Sequence, residues 1–87
     1  MTERTHDPGV HVYALRRLHG LTQEALAIRS GLRRTEINDI ENGRNLCTSV
    51  RIVAGLAAGF SLTMPQVDDL VKGSISPAQA YKLRQAS

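Results

Sequence analysis

The sequence predicts an all-α fold, a compact bundle of five short helices. Three observations carry that reading. The 87 residues include three aromatics (Tyr13, Phe60, Tyr81) and no tryptophan, so the core must be built from Leu, Ile, Val and Ala. Such a core suits packed helices better than strands, which draw on aromatic and β-branched residues. Apolar residues recur at spacings of three and four, and glycines or capping residues interrupt each run. The length admits a single domain, since domains of about 100–200 residues are typical and about 55–65 is the practical minimum.

The elements follow in order. Residues 1–9 (MTERTHDPG) are polar, end in Pro8-Gly9 and show no periodicity, which predicts a flexible arm. From Val10, the apolar positions Val12, Leu15 and Leu18 make an amphipathic first helix that Gly20 closes. Thr22 can cap a short second helix with Leu26, Ala27 and Ile28 on its apolar face, and Gly31 stops it. Leu32, Ile37 and Ile40 outline a third helix ending at the turn dipeptide Asn42-Gly43. Thr48 or Ser49 can cap a fourth, the most apolar, carrying Val50, Val53, Leu56, Ala57 and Phe60. Thr63-Met64-Pro65-Gln66 fits a capping box opening a fifth helix with Val67, Leu70 and Val71, closed by Gly73. The domain therefore runs over residues 10–73. Residues 74–87 form a C-terminal extension in which Ser76-Pro77 can start one or two further turns. With Ile75, Tyr81 and Leu83 following the apolar residues of the fifth helix, this end of the chain is the expected dimerisation face.

Charge is unevenly placed. Residues 16–51 hold seven arginines against four acids, whereas the remainder is balanced at four of each, so the whole net charge of +3 lies in the middle of the chain. Nine of the eleven basic residues are arginine, whose planar fork matches phosphates and guanine edges bidentately. The single cysteine, Cys47, allows no intrachain disulfide, the N-terminus lacks a signal-like apolar run, and no stretch approaches the ~20 apolar residues of a membrane span. These features read as a cytoplasmic protein. His6, His11, His19, Asp7 and Cys47 lack the spacing of a metal site, no glycine-rich phosphate loop is present, and Cys47 has no paired histidine in sequence. Neither an enzyme, a cofactor nor a metal is called for.

Ala27, Gly31, Leu32, Ile37 and Ile40 supply what two helices joined by a tight turn need: a small residue at the close approach, a glycine at the bend and apolar locks on the second helix. Here the chain resembles the Cro/repressor-type helix-turn-helix family, whose fold is lambda-repressor-like. The resemblance covers about residues 12–71, through Leu15-Arg16, Gly20-Leu21-Thr22-Gln23, Leu26-Ala27, Gly31-Leu32, Ile37, Ile40-Glu41-Asn42-Gly43 and Leu56-Ala57. The chain departs from the family pattern at Arg33, where Ser or Thr usually caps the third helix, and at Ser30, before the turn glycine. Cys47 stands where proline is common, and Glu36 and Asp39 put carboxylates on the helix expected to face DNA.

The resemblance implies sequence-specific binding of double-stranded DNA in transcriptional control, as a repressor acting as a nucleoid-associated homodimer with the third helix in the major groove. Arg34, Thr35 and Asp39 fall at base-reading positions, suited to guanine O6/N7, a thymine methyl and a cytosine amino group respectively. Gln23 would contact a phosphate at a helix N-terminus, and Arg33, Asn42, Arg44 and Asn45 would contact the backbone. Arg16 and Glu41, charged residues beside the apolar stripe, would meet as a structural ion pair tying the first helix to the end of the third. A second reading is a protein-interaction module, such as an antitoxin-like subunit, whose acidic third helix contacts a protein partner.

Overall fold

The computed structural model describes residues 8–45 and 49–86. Among them it has six helices and no strand: α1 Pro8–Leu18, α2 Gln23–Ser30, α3 Arg34–Glu41, α4 Val50–Phe60, α5 Met64–Lys72 and α6 Pro77–Ala86. The bundle is thus one helix larger than the sequence predicts. Cys47, His6, Asp7 and Thr48 lie outside the described residues.

Local chemistry sets the boundaries. Thr22 caps α2 by accepting from the Ala25 N–H (3.0 Å), and Ser49 caps α4 by accepting from the Arg51 N–H (3.1 Å). Thr63 and Gln66 form the capping box at α5, with reciprocal bonds of 3.2 and 2.9 Å. Ser76 and Gln79 repeat that device at α6 (3.1 and 2.8 Å). The same Ser76-Pro77 signal therefore starts a ten-residue helix, not a turn or two. Pro8 and Gly9 belong to α1 and not to an arm: proline suits the first helical turn, where its missing N–H leaves nothing unsatisfied. Gly31 ends α2 in the left-handed region (φ 70°), where a side chain would be strained, and this bend delivers the chain to α3.

The core runs through all six helices. Phe60, Leu15, Leu26, Ile37, Ile40, Ile52, Leu56, Leu70, Val12 and Val67 are fully buried. Glycines inside α4 let α2 approach: a Cβ on Gly59 would meet Leu26 Cδ1 at 2.9 Å, and one on Gly55 the Ser30 carbonyl oxygen at the same distance. Ser30 fits this contact as a buried polar residue because its hydroxyl donates to the Leu26 carbonyl (2.7 Å). At the other end of the fold, α6 docks on α1, sealing Ala80 completely and setting Tyr81 edge-on to His19 at 5.2 Å, with Phe60 on the same imidazole at 5.4 Å.

This docking takes up most of the apolar residues of the expected dimerisation face. Val67, Leu70 and Val71 are spent inside the core, and Ile75 and Tyr81 pack against it, which leaves Leu83 the exposed large apolar residue on α6 among those described. Three other residues expected on apolar faces are exposed. Leu18 is turned outward because a strict three-residue repeat drifts by about 60° per step on a helix of 3.6 residues per turn. Ile28 lies on the side of α2 opposite Leu26 and Ser30, which face the α4 glycines, and Val50 is the first residue of its helix, beyond the packed length. No single helix among the described residues is long and apolar enough to cross a membrane; α4 and α5 together would be, but they meet at 103° and turn their apolar residues into the core.

Gly55→Ala tests the α2–α4 approach. Overpacking against a backbone carbonyl costs about 1–3 kcal/mol, against roughly 1 kcal/mol of helix propensity gained. The expected net result in urea denaturation is a loss of about 1 kcal/mol, and a more stable variant would mean that the two helices separate freely.

Candidate nucleic-acid interface

The inward face of α3 carries Ile37 and Ile40, both fully buried, so the opposite face is centred on Thr35, Asp39 and Asn42. Arg34 and Asn38 flank that face on the side of α2, and Glu36 flanks it on the side of the α4 N-terminus. Thr35 and Arg34 are exposed, as is Arg33.

The orientation of this face is set from beneath by Arg16. Its guanidinium forks onto Glu41, Nε to Oε2 at 2.6 Å and Nη2 to Oε1 at 3.0 Å, and its remaining nitrogen donates to the Leu21 carbonyl at 2.8 Å. Both side chains are nearly withdrawn from water, at 10% and 6% exposure. One residue thereby joins α1, the α1–α2 turn and the end of α3. The Glu41 carboxylate holds the Arg16 proton still more firmly than usual, against the opposing effect of burial. The Tyr13 ring lies 5.2 Å from the same guanidinium.

Gln23, at the first position of α2, extends this network. Its amide nitrogen donates to Glu41 Oε1 (3.1 Å) and Asn38 Oδ1 (3.3 Å), and its oxygen accepts from Arg34 (3.4 Å). It therefore fixes the angle between α2 and α3 while standing at a helix N-terminus, where backbone N–H groups and the helix dipole favour an anion. Arg16, Thr22, Gln23, Glu24 and Arg34 line an open depression of about 430 Å³ at this point. Asn42 bonds back to the Asn38 carbonyl (2.9 Å) and caps the end of α3.

Arg33 holds the N-cap position of α3 but has no acceptor atom, so a full capping box cannot form. Only its reciprocal half exists, in which the Arg33 N–H donates to Glu36 Oε1 at 2.9 Å. Glu36 also pairs with Arg51 of α4, and Asp39 pairs with Arg44 at 2.9 Å. The Arg51 guanidinium, and secondarily the Arg33 N–H, hold the Glu36 carboxyl below the usual carboxylate range. The Asn45 N–H reaches back to the Asp39 carbonyl at 3.3 Å. Arg44 and Asn45 thus stand beside α3, folded back on Asp39.

Asn38 and Arg51 were not singled out by the sequence reading. Asn38 had a signal, its i, i+4 relation to Arg34 and Asn42. Arg51 had none, because its partner lies fifteen residues away across a loop. Among the described residues no three His, Cys, Asp or Glu side chains gather as a metal site requires.

A helix-turn-helix family model matches residues 12–66, which takes in the turn at Gly31, all of α3 and the Arg16–Glu41 pair. The chain belongs to the Cro/repressor-type helix-turn-helix family. That family comprises DNA-binding regulators and is not a family of enzymes. No curated protein and no solved structure matches the chain significantly. Within the family framework α2 and α3 are the two helices of the motif, and the Thr35–Asp39–Asn42 face is the outer face of its second helix.

Removing Arg16 should expose how far the motif depends on it. Stripping one partner from a buried pair leaves an uncompensated charge, so Arg16→Met is expected to lose about 3 kcal/mol in urea denaturation, and Arg16→Met with Glu41→Leu to recover most of it. A single variant as stable as the parent would contradict the structural role.

Proposed function

We propose that this chain is a sequence-specific, duplex-DNA-binding regulator of transcription that inserts the outer face of α3 into the major groove. The observation that carries the reading is the setting of that face: Arg34 and Thr35 stand exposed on a helix whose orientation Arg16, Glu41 and Gln23 fix rigidly. Arg34 is the reader of guanine O6/N7, Thr35 meets a thymine methyl, and Asp39 accepts from a cytosine amino group through the carboxylate oxygen not bonded to Arg44. Gln23 presents the α2 N-terminus to one phosphate strand, and Arg33, Asn42, Arg44 and Asn45 meet the backbone around the groove. One recognition helix buries too little surface for tight binding, so the functional unit is a homodimer spanning two half-sites about one helical turn, ~34 Å, apart. Occupying the groove excludes other proteins from the same site, and repression is the effect we assign.

The test compares two arginines on a site selected from a random library. Arg34→Ala is expected to lose ~1–3 kcal/mol on the selected site and to relax preference at one base pair, while Arg44→Ala weakens all sequences alike and flattens the salt dependence. Indistinguishable effects would remove Arg34 from base reading. Affinity with no salt slope at all would place α3 against a protein partner instead, because phosphate contacts make log affinity fall linearly with log salt.

Asp39→Asn checks the carboxylate separately. If Asp39 reads cytosine, the change lowers affinity for the selected site in anisotropy titrations; a rise on that site would show that it reads no base and acts by repelling phosphates or restraining Arg44.

A further inference from the structure

Two carboxylates on a DNA-facing helix work against phosphate binding, yet neither stands alone. Glu36 is the more informative. Its Oε1 accepts the Arg33 N–H at 2.9 Å, the half of a capping box that α3 has, and its Oε2 is given to Nη2 of Arg51 on α4. Arg51 is 62% exposed and the Glu36 side chain 23%, so the pair stays within reach of water, where ion pairs contribute little to stability. Its consequence lies in the field around α3. A cation faced by a carboxylate reaches a phosphate only by giving up that pair, as Arg44 must with Asp39, and cations that reach phosphates supply nearly all of non-specific affinity.

We propose that Glu36 is a specificity-determining residue: by holding Arg51 in an ion pair on the α4 flank of α3, it withholds one guanidinium from the phosphates and so suppresses binding to random duplex. The inference rests on the DNA-binding reading above. In a loose, non-specific complex an unrestrained arginine swings to whichever phosphate is near. In the specific complex the seating of α3 fixes where the α4 flank lies, so release of Arg51 gains less there. Specificity is the ratio of the two affinities and rises when the non-specific one falls.

The experiment is a double-mutant cycle on the full chain with Glu36→Gln, Arg51→Gln and both together, titrated against a random-sequence duplex and against a library-selected site over a salt series. Glutamine keeps an oxygen for the Arg33 N–H, so α3 stays capped, and circular dichroism checks that each variant is folded. Glu36→Gln is expected to tighten random-duplex binding about fivefold more when Arg51 is present than when it is replaced, and to steepen the salt slope by about one only with Arg51 present. The ratio of selected-site to random affinity is expected to fall. An equal gain in both backgrounds would reduce Glu36 to a plain repulsive charge and overturn the inference, as would an unchanged ratio. Wild-type protein that binds no duplex at any salt removes the DNA-binding reading and this inference with it, an outcome distinct from equal gains, which overturn the inference alone.

Discussion

Arg16 and Glu41 form the interaction on which the rest of the molecule depends. A guanidinium and a carboxylate so nearly withdrawn from water are tolerable only if each is well paired, and here every guanidinium nitrogen has a partner: the fork takes both carboxylate oxygens, and the remaining nitrogen finds the Leu21 carbonyl. A pair of this kind adds little net stability over an apolar replacement, but it does something apolar packing does not. Its directionality fixes where the end of α3 lies relative to α1 and to the turn that launches α2. Gln23 then reads the same carboxylate from α2, so both helices of the motif are referenced to one group.

Close packing completes the constraint from the other side. α1 comes so near the end of α3 that a Cβ on Gly9 would collide with the Ile40 carbonyl oxygen, and α2 lies against α4 across Gly55 and Gly59. With Arg29 donating to the Gly59 carbonyl (3.0 Å), α2 is held along its length. The result is a scaffold with tight apolar inner contacts and a polar knot under the exposed helix, the arrangement by which a surface is presented at a fixed angle to a rigid partner such as a duplex.

Much of the fold was legible in sequence because its punctuation is local. Thr22, Ser49 and the Thr63/Gln66 pair act within three residues of where they stand, and Gly31 and Gly73 are needed at their positions by backbone conformation alone. What was not legible depends on distant partners. The docking of α6 hangs on Ala80, a small residue that gives no amphipathic signal and is buried only because α1 leaves room for it. The exposure of Val50 follows from its place at the very start of α4, and that of Ile28 from which side of α2 meets α4, neither of which periodicity records. At the candidate interface the same division holds. The face made of Thr35, Asp39 and Asn42 follows from helical spacing opposite Ile37 and Ile40, whereas the turning of Arg44 and Arg51 back onto the acids of α3 is a tertiary fact. It changes the meaning of those acids, from bare negative charges on a DNA-facing helix to the holders of two arginines.

The central claim is that the outer face of α3, with the N-terminus of α2 beside it, is the surface that meets duplex DNA. Backbone amide chemical shifts of the isotopically labelled protein, followed while a library-selected duplex is added, test it most directly. The account predicts that the largest changes fall at Gln23, Arg34, Thr35, Asp39 and Asn42, with the core of α5 and the α1–α6 contact unmoved. Changes concentrated on α5 and α6, with α3 silent, would contradict it.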